Sequence, residues 1–173
     1  LVETYLASLP SSGREEKWRD VGMRAPTGVI EKEVYKGIEP KSQVAIVFSG
    51  ETEWSMKERR RMSILREVLN TRLREVLRED LGGTYGVSVN GSIRDTPYEN
   101  YQMVVTFGCA PDRVDELVQN VWDNIADLQT NGPLETHIDN AREGAFRSWQ
   151  TGLEENGYWL NSLEFYLSRD MDP

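Results

Sequence analysis

The strongest constraint on the fold is a long apolar stripe that is followed by two stretches of strict alternation. In residues 55–80, apolar side chains recur every three or four positions, as on one face of an α-helix: Met62, Leu65, Val68, Leu69, Leu73, Val76 and Leu77. Gly82 and Gly83 follow where glycine commonly ends a helix. Residues 85–94 and 101–107 alternate between apolar and polar side chains across a turn-rich connection. The sequence therefore predicts a long amphipathic helix that packs on an antiparallel hairpin.

The remaining segments extend this pattern to an α+β fold. Residues 1–9 have a helical spacing that ends at Pro10, and residues 28–35 and 43–49 have the pattern of strands. Because residues 43–49 are apolar on both faces, we expect them in the centre of a sheet that is covered on both sides. Three more helices are predicted at residues 111–130, 134–150 and 158–169. The order predicts a two-layer sandwich of helices on an antiparallel or mixed sheet, with residues 1–173 forming a single, truncated domain.

Charge and hydropathy argue against two classes of function. The chain has 20 basic and 29 acidic residues, a net charge of −9, which disfavours non-specific binding to nucleic acid or to an anionic membrane surface. Its longest apolar run, residues 44–48, is far shorter than the ~18 residues that a membrane span needs. The chain starts at Leu1 without a signal-like segment, which we interpret as a piece of a longer protein.

The counts of histidine and cysteine limit the metal chemistry of the chain. His137 is the only histidine and Cys109 the only cysteine, whereas catalytic zinc sites usually need two or three histidines together with a carboxylate or thiolate. This chain alone is therefore expected to hold no catalytic zinc. His137 is interpreted as an ordinary surface residue. Cys109 is interpreted as a small buried or half-buried residue, since no histidine nearby could activate its thiol.

A cluster of arginines at residues 59–61 lies near the start of the long helix. The cluster could bind phosphate groups, or it could form a solvated face with salt bridges to Glu58 and Glu67. The second interpretation is favoured, because no motif typical of RNA- or DNA-binding domains accompanies these arginines.

The segment between the long helix and the hairpin, LREDLGGTYGVSV, carries the most informative residues. Arg78 lies in the last helical turn and Tyr85 opens the next strand. The pattern alone leaves two interpretations open. In one, the guanidinium and the phenol form a shared site at one edge of the sheet. In the other, Arg78 only complements the helix dipole and Tyr85 only continues the apolar strand face.

The run NTRLREVLREDLGGTYGVSV resembles the C-terminal-half domain of the insulinase/pitrilysin zinc metallopeptidases, and its Gly-Gly-Thr-Tyr-Gly form is most similar to bacterial, often periplasmic members. The resemblance implies a metallohydrolase-like fold. It implies that Arg78 and Tyr85 bind the peptide substrate, with Tyr85 also contacting the carbonyl or oxyanion during catalysis. Zinc is then the cofactor of a second half, on the same chain or on a partner subunit, and the present fragment has no activity of its own.

A structural or scaffolding relative with the same fold but no peptidase activity is the alternative. Retention of both Arg78 and Tyr85 favours the peptidase, because a scaffold needs neither side chain. The expected partners are the catalytic zinc-binding half and a peptide substrate, with neither nucleic acid nor a membrane span. A periplasmic location is favoured over a cytoplasmic one.

Overall fold

The structure is a computed structural model that describes residues 1–10, 12–14, 17 and 19–172. Its elements follow in the order α1 (Val2–Tyr5), β1 (Ser42–Glu51), α2 (Met56–Leu73), a π-helical turn (Arg74–Asp80, the π-turn), β2 (Val87–Arg94), β3 (Asn100–Cys109), a 3-10 turn (Pro111–Arg113), α3 (Val114–Asn131), α4 (Glu135–Gly152) and α5 (Asn156–Leu167). Among the described residues, no helix combines the length and the apolar character that crossing a membrane requires.

The predicted long helix is confirmed as α2 together with the π-turn. Its N-terminus is capped by Ser55, whose side chain accepts a hydrogen bond from the backbone N–H of Glu58 at 3.1 Å. The helix packs closely on β2, since a Cβ at Gly91 would lie only 2.7 Å from the sulfur of Met62. The N–H of Val89 also donates to the side-chain oxygen of Asn70 at 3.2 Å. This bond fixes the helix to the outer edge of β2.

The sheet has three antiparallel strands in the order β1-β3-β2, which confirms the predicted hairpin and places β3 in the centre. In the central row, Val105 is opposite Ile46 on one side and Val89 on the other. Side chains alternate between two faces, and the buried residues of β2 and β3 all lie on one of them. The sheet therefore has one covered face.

The core lies between this face and the helices. Its buried residues come from α2 with the π-turn, the central strands and α3: Leu69, Leu73, Leu77, Val89, Val105, Phe107, Cys109, Leu117 and Val121. Phe48 of β1 meets Trp122 of α3 edge to face, with ring centroids 5.4 Å apart. Arg72 joins α2 to α3 by donating to Asn124 at 2.7 Å and to Asp127. The α+β fold with helices packed on an antiparallel sheet is confirmed.

Two strand predictions were wrong. Residues 28–35 form no strand and pair with no other segment of the described chain, and Val29 and Val34 are exposed. Strand-favouring residues alone do not hold a strand, because backbone hydrogen bonds to a neighbour must form. Residues 43–49 form most of β1, but this strand lies at an edge of the sheet and the outward side chain of Val47 is 53% exposed. Apolar side chains on both faces therefore did not imply a central, doubly covered strand.

Smaller corrections concern the helices. α1 ends at Tyr5 rather than at residue 9, and it buries no side chain that could extend it by tertiary contacts. Leu65, assigned to the sheet-facing stripe of α2, is 45% exposed because it lies on a different face of the helix. The three later helices are confirmed as α3, α4 and α5.

Candidate functional site

Arg78 lies on the π-turn, where the helix is wider than an α-helix. The wider turn is closed by the N–H of Leu81, which donates to the carbonyl oxygen of Val76 at 3.0 Å, five residues back. Leu77 is fully buried, whereas its neighbour Arg78 is exposed. No carboxylate among the described residues forms an ion pair with Arg78. Single π-turns within helices are frequent at functional sites, and this one presents to solvent a cation without an ion pair to any described residue.

A tight turn joins the π-turn to β2. Gly82 has φ +57°, a left-handed conformation that favours glycine. The N–H of Gly83 donates to the carbonyl oxygen of Leu77 at 2.9 Å, which closes the helix end. From the start of α3, Arg113 donates to the carbonyl oxygen of Leu81 at 3.2 Å. The turn is thus held by its own backbone and by a side chain from another element.

Thr84 fixes the residues on either side of Tyr85. Its hydroxyl donates to the carbonyl oxygen of Gly86 at 2.9 Å and accepts from the N–H of Gly86 at 3.2 Å. Thr84 is buried, while Tyr85 between them is 94% exposed. Because β2 begins only at Val87, the prediction that Tyr85 opens the strand was wrong, and the interpretation in which Tyr85 only continues the apolar strand face does not hold. The phenol is instead presented to solvent on a well-anchored turn.

Sequence reasoning missed the two residues that support this turn, Thr84 and Arg113. A threonine in a glycine-rich run such as Gly-Thr-Tyr-Gly indicates a turn in which the side chain bonds to the backbone. Thr84 could therefore have been found from the sequence. Arg113 could not, because its bond to Leu81 joins residues that are distant along the chain.

We expect Gly83→Ala to destabilise the 173-residue chain by about 1–3 kcal/mol. An added Cβ would lie 2.5 Å from a methyl carbon of Leu117, a fully buried side chain that cannot move without disturbing the core. Gly86→Ala is the matched control, since a Cβ there meets no atom within 4 Å. Urea unfolding of both variants measures the difference. Equal stability of the two variants would contradict the described contact between the turn and α3.

The prediction for His137 was wrong. The residue is only 7% exposed, on a face of α4 that it shares with the buried Ala141. Its Nε2 lies 3.1 Å from a carboxylate oxygen of Glu75 on the π-turn, and its buried Nδ1 has no hydrogen-bond partner within the described part of the chain. The spacing of four residues from His137 to Ala141 was the available sequence signal. His137 thus packs against the π-turn that carries Arg78.

The residues of this chain do not fit a catalytic zinc ion. The only histidine is buried against Glu75, and the described part of the chain contains no group of three or more metal-ligating side chains. Cys109 is buried, as predicted, and burial raises the pKa of its thiol. A neutral buried thiol is a poor nucleophile and a poor metal ligand.

Comparison with known proteins points to one family. A family model described as the peptidase M16 inactive domain matches residues 1–145, which include Arg78, Tyr85 and their turn. The chain is 27% identical over 133 residues to a probable zinc protease, PqqL, of Haemophilus influenzae, and 28% identical over 102 residues to the chloroplastic stromal processing peptidase of Pisum sativum. These alignments cover 76% and 59% of this chain.

The same likeness is found in three dimensions. The crystal structure of the periplasmic protease PqqL from Escherichia coli superimposes with a TM-score of 0.64 at 22% identity, over 75% of this chain and 14% of the other. At this identity the likeness concerns the fold alone. The chain spans 14% of the length of the Haemophilus relative and 8% of the pea relative, so it corresponds to a small part of each.

Proposed function

The chain belongs to the peptidase M16 family, as a match to its inactive domain, and we propose that it is one domain of the non-metal half of a zinc metalloendopeptidase. In this proposal the chain helps to enclose a peptide against a zinc-binding half, on the same polypeptide or on a partner subunit. The described donor set does not fit zinc, which supports the proposal that the metal belongs to that other half. We propose a periplasmic location because the Escherichia coli protein of similar fold is a periplasmic protease.

The observation that carries the proposal is the exposure of Tyr85 on a turn that is fixed on both sides. A tyrosine that served only packing would be buried, whereas this phenol can donate a hydrogen bond to a substrate. Arg78 has no carboxylate partner among the described residues and can donate to peptide carbonyl oxygens. We assign substrate binding to both residues, and stabilisation of the developing oxyanion to the hydroxyl of Tyr85.

Arg78→Ala in the enzyme that contains this domain is expected to raise KM and to lower kcat, reducing kcat/KM by about tenfold or more. A guanidinium that holds a carbonyl oxygen acts on both the bound substrate and the transition state. Arg74→Ala is the matched control, because Arg74 is also an exposed cation of the π-turn, one turn earlier.

Steady-state kinetics on equally folded variants distinguish the proposal from the scaffold alternative. A cation that only complements the helix dipole contributes at most about 1 kcal/mol of stability and has no kinetic role. Unchanged kcat and KM in Arg78→Ala, or an equal loss in Arg74→Ala, would reject the proposed role of Arg78.

A further inference from the structure

An open apolar groove lies on the side of α2 that faces α4. It has a volume of about 800 Å³ and is lined by side chains of α2, of the end of α3, of the α3–α4 connection and of α4. Its apolar surface includes the exposed Leu65, which the sheet does not cover, together with Ile64, Leu128 and Ile138. An exposed apolar surface between packed helices is a typical site for an amphipathic helix.

The rim of this groove is basic in a chain of net charge −9. Lys57, Arg60 and Arg61 line it from α2, and Arg142 lines it from α4. Among the described residues, Lys57 and Arg60 have no ion pair. The exposed Arg61 pairs with the half-buried Glu58 at 2.5 Å, and Arg142 lies 3.7 Å from Asp139. The groove therefore favours an apolar partner that carries acidic residues.

Helix α5 has that chemistry on its outer face. Leu160, Leu163 and Leu167 are exposed at spacings of three and four residues. Acidic side chains occur along the helix and on both sides of it: Glu154, Glu155, Glu164, Asp170 and Asp172. The one basic residue of this segment, Arg169, forms an ion pair with Asp95 at 2.8 Å. An exposed leucine stripe and excess negative charge are what the basic apolar groove would bind.

The α5 of the same chain is held away from the groove. Its Phe165 lies 4.4 Å below the guanidinium of Arg59, and its ring centroid is 6.2 Å from that of Trp54. On a helix of 3.6 residues per turn, Arg59 is rotated by about 160° from Lys57 and Arg61 and by about 100° from Arg60. No side chain of α5 lines the groove, so α5 of a second copy can fill it.

We propose that two copies of this chain form a closed dimer in which α5 of each copy occupies the groove of the other. Two reciprocal contacts double the buried apolar surface and leave no unpaired groove or helix. The dimer does not depend on the peptidase assignment, because it involves neither Arg78 nor Tyr85, and α5 lies outside the residues matched to the family.

Sedimentation velocity of the 173-residue chain over a wide concentration range tests this dimer. We expect a monomer–dimer equilibrium in the unmodified chain. Arg60→Glu combined with Arg61→Glu should weaken dimerisation by at least about tenfold, since it places like charges against α5. Leu163→Asp should do the same from the other side of the contact. Circular dichroism checks that these surface variants stay folded. Arg147→Glu, an exposed site of α4 outside the groove, is the control and should dimerise normally.

Mixing the groove variant with the α5 variant tests reciprocity. The mixed pair keeps one intact contact, between the unmodified α5 of one variant and the unmodified groove of the other. Heterodimers should therefore form at concentrations at which each variant alone is monomeric. A monomeric unmodified chain at all concentrations, a dimer that survives both variants, or a mixture without heterodimers would each overturn the proposal.

Discussion

Tyr85→Phe is expected to lower kcat of the enzyme that contains this domain by about 100-fold, as does the removal of one oxyanion donor in other hydrolases. The change deletes the hydroxyl and keeps the ring. Because the side chain is 94% exposed, its loss should leave the free energy of unfolding almost unchanged. A hydrogen bond that strengthens as the carbonyl oxygen gains charge acts mainly on turnover, so KM should change little.

Kinetics and urea unfolding on the same purified variants measure these two effects. Tyr5→Phe is the control, since Tyr5 is an exposed tyrosine of α1, far along the chain from the turn. A fall in kcat with unchanged stability in Tyr85→Phe, and no effect in Tyr5→Phe, is the expected result. An unchanged kcat would exclude the hydroxyl from the chemical step and favour the scaffold alternative.

Local patterns were sufficient to predict the elements around the candidate site. The stripe of α2 and the alternation of β2 and β3 depend on neighbours that are close along the chain, and these elements form where predicted. The exposure of Tyr85 was not predicted, although its cause is also local along the chain. It results from the two bonds between Thr84 and Gly86, which delay the start of β2 until Val87.

The wrong predictions concern residues whose environment is determined by contacts that are distant along the chain. The residues around His137 in the sequence are mostly polar, yet the packing of α4 buries it against Glu75 of the π-turn. The segment 28–35 contains residues that favour strands, but it has no partner strand among the described residues. Pairing partners and helix packing are properties of the whole fold, which one-dimensional periodicity does not contain.

Phe107→Ala is expected to destabilise the 173-residue chain by about 3–5 kcal/mol, the largest loss predicted for a single side chain here. The ring is 1% exposed on the central strand β3, on the face that α2 and α3 cover. Truncation removes buried apolar surface and leaves a cavity that the rigid strand cannot close. Urea unfolding, with the slope checked for two-state behaviour, measures the change.

Val47→Ala is the matched control for Phe107→Ala. Val47 lies on the opposite face of the sheet, which no helix covers, and it is 53% exposed. Its truncation should cost less than about 1 kcal/mol, because little buried surface is lost. If Val47→Ala instead cost as much as a buried valine, β1 would be covered on both faces, as its apolar sequence first indicated. A large loss for Phe107→Ala beside a small one for Val47→Ala is what a sheet with a single covered face requires.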